Sequence, residues 1–188
     1  MDKQEIRKKI LEKRKNLSKD LVEIASQKVC DNLKKSKEIL NKKSIVVYSA
    51  YQNEIDLRDF VKFILKFDEK QIYLPKFDEK NCKYGLSQIK NLQNDLKVGK
   101  YGILEPKEVP EILGQHDINK IECWLIPGVC FDKNLYRLGR GKGCYDRLLK
   151  RSLGMKIGIA YNWQIIDKVP VDNWDIRMDI IINEKGLL

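Results

Sequence analysis

The sequence predicts an α/β protein: a single three-layer domain over residues 1–188, with a mainly parallel, Rossmann-like sheet flanked by helices. Short β-branched runs alternate with segments of helical period along the whole chain. The strand candidates are continuous apolar runs, not in–out alternations, as expected of strands covered on both faces. No repeat, low-complexity tract or Pro/Gly/Ser-rich linker divides the 188 residues, a length that supports one sizeable core.

Residues 3–15 read as the first helix, and Ser18 as the N-cap of a second that runs to about residue 40. "SIVVYSAY" (44–51) is a buried strand. In "LRDFVKFILKF" (57–67), Leu57, Phe60, Val61, Ile64 and Leu65 recur at i, i+3, i+4, i+7 and i+8, an amphipathic helix. "QIYLP" (71–75), "YGLSQI" (84–89), "IECWLIP" (121–127), "KIGIAY" (156–161) and "RMDIII" (177–182) are further strands, and a helix begins near Cys144. Ligands of such sheets bind beyond the carboxyl ends of the strands, where the segment after 121–127 must lie.

No run of eighteen apolar residues predicts a membrane span, and "MDKQEIRKKILEKRKN" has no apolar stretch or cleavage site of a secretory signal. Cys30, Cys82, Cys123, Cys130 and Cys144 form no metal-type spacing, and suit reduced thiols in a cytoplasmic protein. The single histidine, His116, leaves little material for a histidine triad or metal centre.

The net charge of +10 is local: residues 1–43 hold 14 Lys/Arg against 7 Asp/Glu. Arginine is scarce, with 29 Lys to 8 Arg, yet Arg137, Arg140, Arg147 and Arg151 fall within fifteen residues. Arginine's planar fork suits phosphates and carboxylates. In the first helix, Ile6, Ile10 and Leu11 span an arc of about 140°, and Lys3, Arg7 and Arg14 fall inside it. Either their stems cover the core while the charges reach water, or they form a basic stripe delivered to a buried anion.

"RLGRGKGCYD" (137–146) combines glycines, cations and a closing carboxylate. It is neither a P-loop nor the dinucleotide fingerprint, because the spacings differ. Gly139, Gly141 and Gly143 allow successive amides to form an anion nest, and Arg137, Arg140 and Lys142 supply charge. Asp146 adds an oxygen ligand for Mg²⁺. A nucleoside triphosphate with magnesium fits this combination better than a simple turn.

"LIPGVCFDKNLYRLGRGKGCYDRLL" (125–149) resembles the signature of the 5-formyltetrahydrofolate cyclo-ligase family. The resemblance extends to Lys3, Arg7, Glu54, "YLPK" (73–76), "YGILEP" (101–106), "VPVDNWD" (169–175) and Asp179. It implies an enzyme that converts 5-formyltetrahydrofolate to 5,10-methenyltetrahydrofolate with MgATP, releasing ADP and phosphate. ATP phosphorylates the formyl oxygen, N10 attacks the activated carbon, and phosphate leaves. Phosphoryl transfer rests on positioning and charge stabilisation, so no His or Ser nucleophile is needed.

By the same resemblance, Lys3, Arg7 and the loop Arg137, Leu138, Gly139, Arg140, Gly141, Lys142, Gly143, Cys144 and Tyr145 contact ATP. Arg140, Gly141, Lys142, Gly143 and Cys144 also face the folate, with Ser49, Glu54 and Tyr101. Asp146 and Asp179 bind Mg²⁺, and the catalytic roles fall to Arg140, Lys142 and Tyr145. The Glu54 carboxylate is expected to accept N–H donors of the pterin. Arg14 lies outside the match and is an additional candidate. Tyr101 is open to two readings, an aromatic under the folate or a packed core residue. Cys144 stands where the family signature has tyrosine, removing a ring and a hydroxyl from the folate side or filling the space as a small hydrophobe. The expected partners are these small molecules, with no nucleic acid or membrane, for a cytoplasmic monomer. Two rivals remain at this stage: a basic RNA-binding module, and another ATP-dependent ligase or kinase using the same loop.

Overall fold

Asp2 starts the first helix by reciprocal capping. Its carboxylate accepts from the Gln4 and Glu5 amides at 2.7 and 2.8 Å, while Glu5 Oε2 accepts from the Asp2 amide at 2.9 Å. In the computed structural model, which describes residues 1–78, 83–99, 102–107, 118–150 and 152–188, this helix is α1, Lys3–Lys15. Ser18 caps α2, Lys19–Lys35, as expected. The single helix expected to reach residue 40 is corrected to two. Ser36 leaves helical geometry, and its hydroxyl accepts from the Ile39 amide to cap a short α3, Lys37–Leu40. Serine competes for backbone groups in this way.

The chain continues through β1 (Ser44–Val46), α4 (Arg58–Ile64), β2 (Gln71–Asp78), β3 (Lys83–Ile89) and the antiparallel pair β4 (Leu96–Val98) and β5 (Leu104–Pro106). Next come β6 (Cys123–Pro127), β7 (Cys130–Asp132), β8 (Arg137–Leu138) and α5 (Cys144–Leu149). The last elements are β9 (Met155–Ile159), β10 (Ile165–Ile166), β11 (Ile180–Asn183) and β12 (Gly186–Leu187).

The main sheet has the order β12-β11-β9-β6-β1-β2-β3. Its inner strands β11, β9, β6, β1 and β2 are parallel, and the edge strands β12 and β3 are antiparallel. Val29 and Leu33 of α2 and Phe60 and Ile64 of α4 cover one face, against Ile45, Ile72 and Ile157. Leu148 and Leu149 of α5 and Phe131 of β7 cover the other, against Val46, Trp124 and Ile126. Each such buried side chain contributes about 1.5–3 kcal/mol. The Phe131 ring lies so close to Gly158 that a Cβ there would meet it at 2.5 Å.

β7, β8 and β10 form a separate three-stranded sheet that the sequence reading did not contain. Ile6 and Ile10 of α1 pack on it, against Val129, Cys130 and Leu138. The last strand of the main-sheet core begins at Ile180 and not at residue 177, because Arg177 bridges Tyr136 and the Met178 amide bonds Leu135. Among the described residues no helix is long and apolar enough to cross a membrane.

Candidate active site

In chain order the parallel strands of the main sheet lie 2-1-3-4-5, so the winding reverses between β1 and β6. A crevice opens beyond the carboxyl ends of two strands at such a point. Three segments converge there: the loop after β1, the loop from β8 to α5, and the inner side of α1.

β1 is shorter than the expected 44–51 because the chain leaves the sheet and turns sharply. Gln52 and Asn53 both take positive φ, 49° and 58°, and asparagine tolerates this better than most residues. The turn brings Glu54 back beneath the strand end, 9% exposed. Glu54 Oε2 accepts from the Tyr51 amide at 3.1 Å. Glu54 Oε1 accepts from two guanidinium groups, Arg14 at 3.1 Å and Arg140 at 3.3 Å. Arg140 also donates to Gln52 Oε1 at 3.0 Å and lies 4.6 Å from the centre of the Tyr51 ring.

Arg14 is only 1% exposed, so its charge does not reach water. Its second nitrogen donates to Gly128 O, just past the end of β6, at 3.1 Å. Burial pulls its pKa below the usual arginine value, opposed by the Glu54 charge. Thus the three cations on the inner arc of α1 divide three ways. Arg14 is buried and paired. Arg7 Nε donates to Gly139 O at 2.8 Å, joining the helix to the glycine-rich loop. Lys3 reaches Asp172 and Asp175 at 2.6 and 2.5 Å.

The loop itself is open backbone. Gly141 and Gly143 have φ of 94° and 59°, conformations that side chains other than glycine rarely adopt. Among the described residues no acceptor takes the N–H groups of Gly139 to Gly143, nor does any partner engage the exposed Lys142 ammonium. Arg137 is buried beneath the loop, donating to Asp146 Oδ1 at 2.8 Å and Pro127 O at 3.3 Å. Its guanidinium also lies 5.5 Å from the Tyr145 ring. Desolvation pushes the Tyr145 hydroxyl well above its ordinary pKa, so it stays protonated near neutrality. Desolvation likewise pushes the Cys144 thiol up to about 12, and the thiol meets the Tyr84 hydroxyl. Cys144 therefore sits as a small, neutral group.

The remaining expected residues are placed less centrally. Leu138 points into the core against α1 and offers a ligand only its backbone. Ser49 lines a neighbouring cavity of about 220 Å³ with Tyr48, Asp56, Leu74 and Leu104. Tyr101 lies outside the described residues. The structure does not bring the expected pair Asp146 and Asp179 together. Asp179 precedes β11 at the amino-terminal edge of the sheet, where its carboxylate accepts from the Lys156 amide at 2.7 Å. In strand register Lys156 is three residues below Ile159, the neighbour of Pro127, roughly 10 Å along the strands. Asp179 instead lines an open cavity of about 670 Å³ with Lys42, Glu122 and Gly154. Among the described residues no group of three His, Cys, Asp or Glu is placed to hold a metal.

A magnesium ion bound chiefly by phosphate oxygens takes one or two protein carboxylates, and Asp146 fits that need: Oδ1 is held by Arg137 while the side chain stays 27% exposed. Tyr51, Gln52 and Asn53 are contributors the sequence reading missed. The Gln-Asn pair was the available signal for a turn before residue 54.

A sequence profile of the 5-formyltetrahydrofolate cyclo-ligase family matches residues 1–184. The chain is 35% identical to the 5-formyltetrahydrofolate cyclo-ligase of Mycoplasma pneumoniae, covering 98% of this chain and 100% of that one. It is 30% identical to the Haemophilus influenzae 5-formyltetrahydrofolate cyclo-ligase, covering 95% and 96%. The solved structure of Aquifex aeolicus 5,10-methenyltetrahydrofolate synthetase superposes with a TM-score of 0.85 at 40% identity, covering 100% of this chain and 92% of that one.

Proposed function

The chain belongs to the 5-formyltetrahydrofolate cyclo-ligase family, and on that premise we propose that it closes 5-formyltetrahydrofolate to 5,10-methenyltetrahydrofolate at the expense of MgATP. It acts as a cytoplasmic monomer on small molecules, with residues 1–188 as one catalytic domain and no nucleic acid involved.

The formyl oxygen attacks the γ-phosphorus and ADP departs. N10 then attacks the activated formyl carbon, the C–O bond to phosphate breaks, and the N10 proton passes to solvent. The free amides of Gly139 to Gly143 cradle the phosphates, with charge from Lys142 and from Arg7 beside Gly141. Lys3 joins them at the outer end of α1. Asp146 would hold Mg²⁺, which would neutralise phosphate charge there. Ser49 and Glu54 face the folate, and Arg140 spans the two substrates. Tyr145, protonated and partly buried, donates a hydrogen bond and does not act as a base.

The contact between Arg140, on the glycine-rich loop, and Glu54, on the loop after β1, carries this reading. It puts a phosphate-type donor within 3.3 Å of the carboxylate assigned to the pterin. The test is the appearance of methenyl absorbance from 5-formyltetrahydrofolate, with one ADP and one phosphate per product. Product formation without ATP, or ATP turnover without methenyl product, overturns it.

A further inference from the structure

Glu54 carries more positive charge than one carboxylate needs. Oε1 accepts from both Arg14 and Arg140, and Oε2 from the Tyr51 amide. The two arginines differ in every other respect. The Arg140 side chain is 33% exposed, sits on a loop of open backbone, and has surface partners in Gln52 and Tyr51. Arg14 is 1% exposed and projects from a regular helix. Its fork is fixed at the far side by Gly128 O, a carbonyl that also accepts from Gln164 at 3.3 Å.

The backbone repeats this tie. Asn53 Nδ2 donates to Arg14 O at 3.1 Å and to Lys15 O and Leu17 O at 3.3 Å each. The Tyr161 hydroxyl closes the turn from above on Asn53 O at 2.9 Å. Residues 53 and 54 are thus registered on the end of α1 through side chain and main chain together.

A carboxylate that receives paired N–H donors must present two free acceptor sites side by side. With Arg140 in place, Glu54 has no such edge, so a pterin takes the place that Arg140 vacates. Once Arg140 leaves for the phosphoryl group, Glu54 keeps a single counter-charge in a nearly water-free site. A buried charge without its partner is strongly disfavoured.

We propose that Arg14 is the positioning residue for Glu54, holding its carboxylate in place and aimed at the folate while Arg140 moves between that carboxylate and the phosphoryl group. This rests on the reading of Glu54 as the pterin's partner and goes beyond it by dividing the two cations into a fixed one and a mobile one.

The test is steady-state kinetics of Arg14→Met, Arg14→Lys, Glu54→Gln and the Arg14→Met/Glu54→Gln double variant, with circular dichroism to confirm folding. Glu54→Gln is expected to raise the folate KM at least tenfold and leave the MgATP KM within twofold. Arg14→Met should show the same split, and Arg14→Lys, which keeps the charge but loses the fork, a smaller rise. The double variant should be no worse than the weaker single one, because both changes act through one carboxylate. If Arg14→Met does not fold, Arg14→Lys decides by the same split. Losses that add in the double variant, a parallel rise in both KM values, or an unchanged folate KM in the folded Arg14 variants overturns the inference. An unchanged folate KM in Glu54→Gln overturns the reading of Glu54 itself, and the inference with it.

Discussion

Arg137 and Asp146 form a part-buried ion pair at 2.8 Å that ties the end of β6 to the first turn of α5. The arginine side chain is almost fully covered, whereas the aspartate side chain stays 27% exposed. The two residues therefore separate stability from chemistry. Arg137→Ala leaves Asp146 without its partner and removes the support of Pro127 O. It should lower unfolding free energy by about 3 kcal/mol, measured by the urea midpoint. Asp146→Asn keeps a hydrogen-bonding partner for Arg137, so its midpoint should shift far less. It should cut turnover severely and remove the dependence of the residual rate on magnesium concentration.

Lys142 is exposed and its ammonium meets no partner among the described residues. Its removal should leave the thermal midpoint unchanged and lower kcat/KM for ATP on the order of 100-fold, the usual effect of one lost transition-state donor. On the proposed function Arg140→Ala should impair both substrates, because that side chain, itself on the glycine-rich loop, also touches Gln52 and Glu54 of the loop after β1.

Gly141 tests backbone geometry apart from space. A Cβ there would stand 3.6 Å from Arg7 Cζ, an ordinary contact, but the φ of 94° is one that alanine rarely adopts. Gly141→Ala should cost roughly 1–2 kcal/mol if the loop keeps its shape. It should weaken nucleotide binding about tenfold if the loop relaxes instead. Nucleotide titration of the variant beside its urea midpoint separates the two.

Three buried thiols and the partly buried Cys144 give a pH dependence with a definite sign. Burial raises Cys30 to about 11, and Cys123, Cys130 and Cys144 to about 12, from an ordinary value of 9.0. Between pH 9 and 12 the unfolded chain releases these protons and the folded protein keeps them. Stability should therefore be fully present below pH 9 and fall as the pH rises through that window. Urea midpoints from pH 8 to 11 check this; a flat profile would contradict it.

Much of this architecture was legible because its signals are local. The apolar runs at 71–75, 121–127 and 156–161 became β2, β6 and β9 nearly as read, and the glycines of 139–143 announced an open loop. The helical phase of α1 also flagged Lys3, Arg7 and Arg14 as a set. Phase alone does not distinguish a stem that covers the core from a buried charge, since the distinction depends on Glu54, forty residues away. The small sheet of β7, β8 and β10 was illegible for a related reason. Its strands are two or three residues long, and only tertiary pairing defines them. Asp179 shows the opposite case: a residue matched by motif that the register of β11 holds at the other edge of the sheet.

Every anchor of the first helix lies well downstream in the chain: 40 residues on at Glu54, 132 at Gly139 and 169 at Asp172. Undocking α1 therefore breaks ties to three separate segments of the chain at once, and the helix works as a clasp across the fold. A cut that removes the segment around Asp172 and Asp175 leaves Lys3 without either of its carboxylate partners.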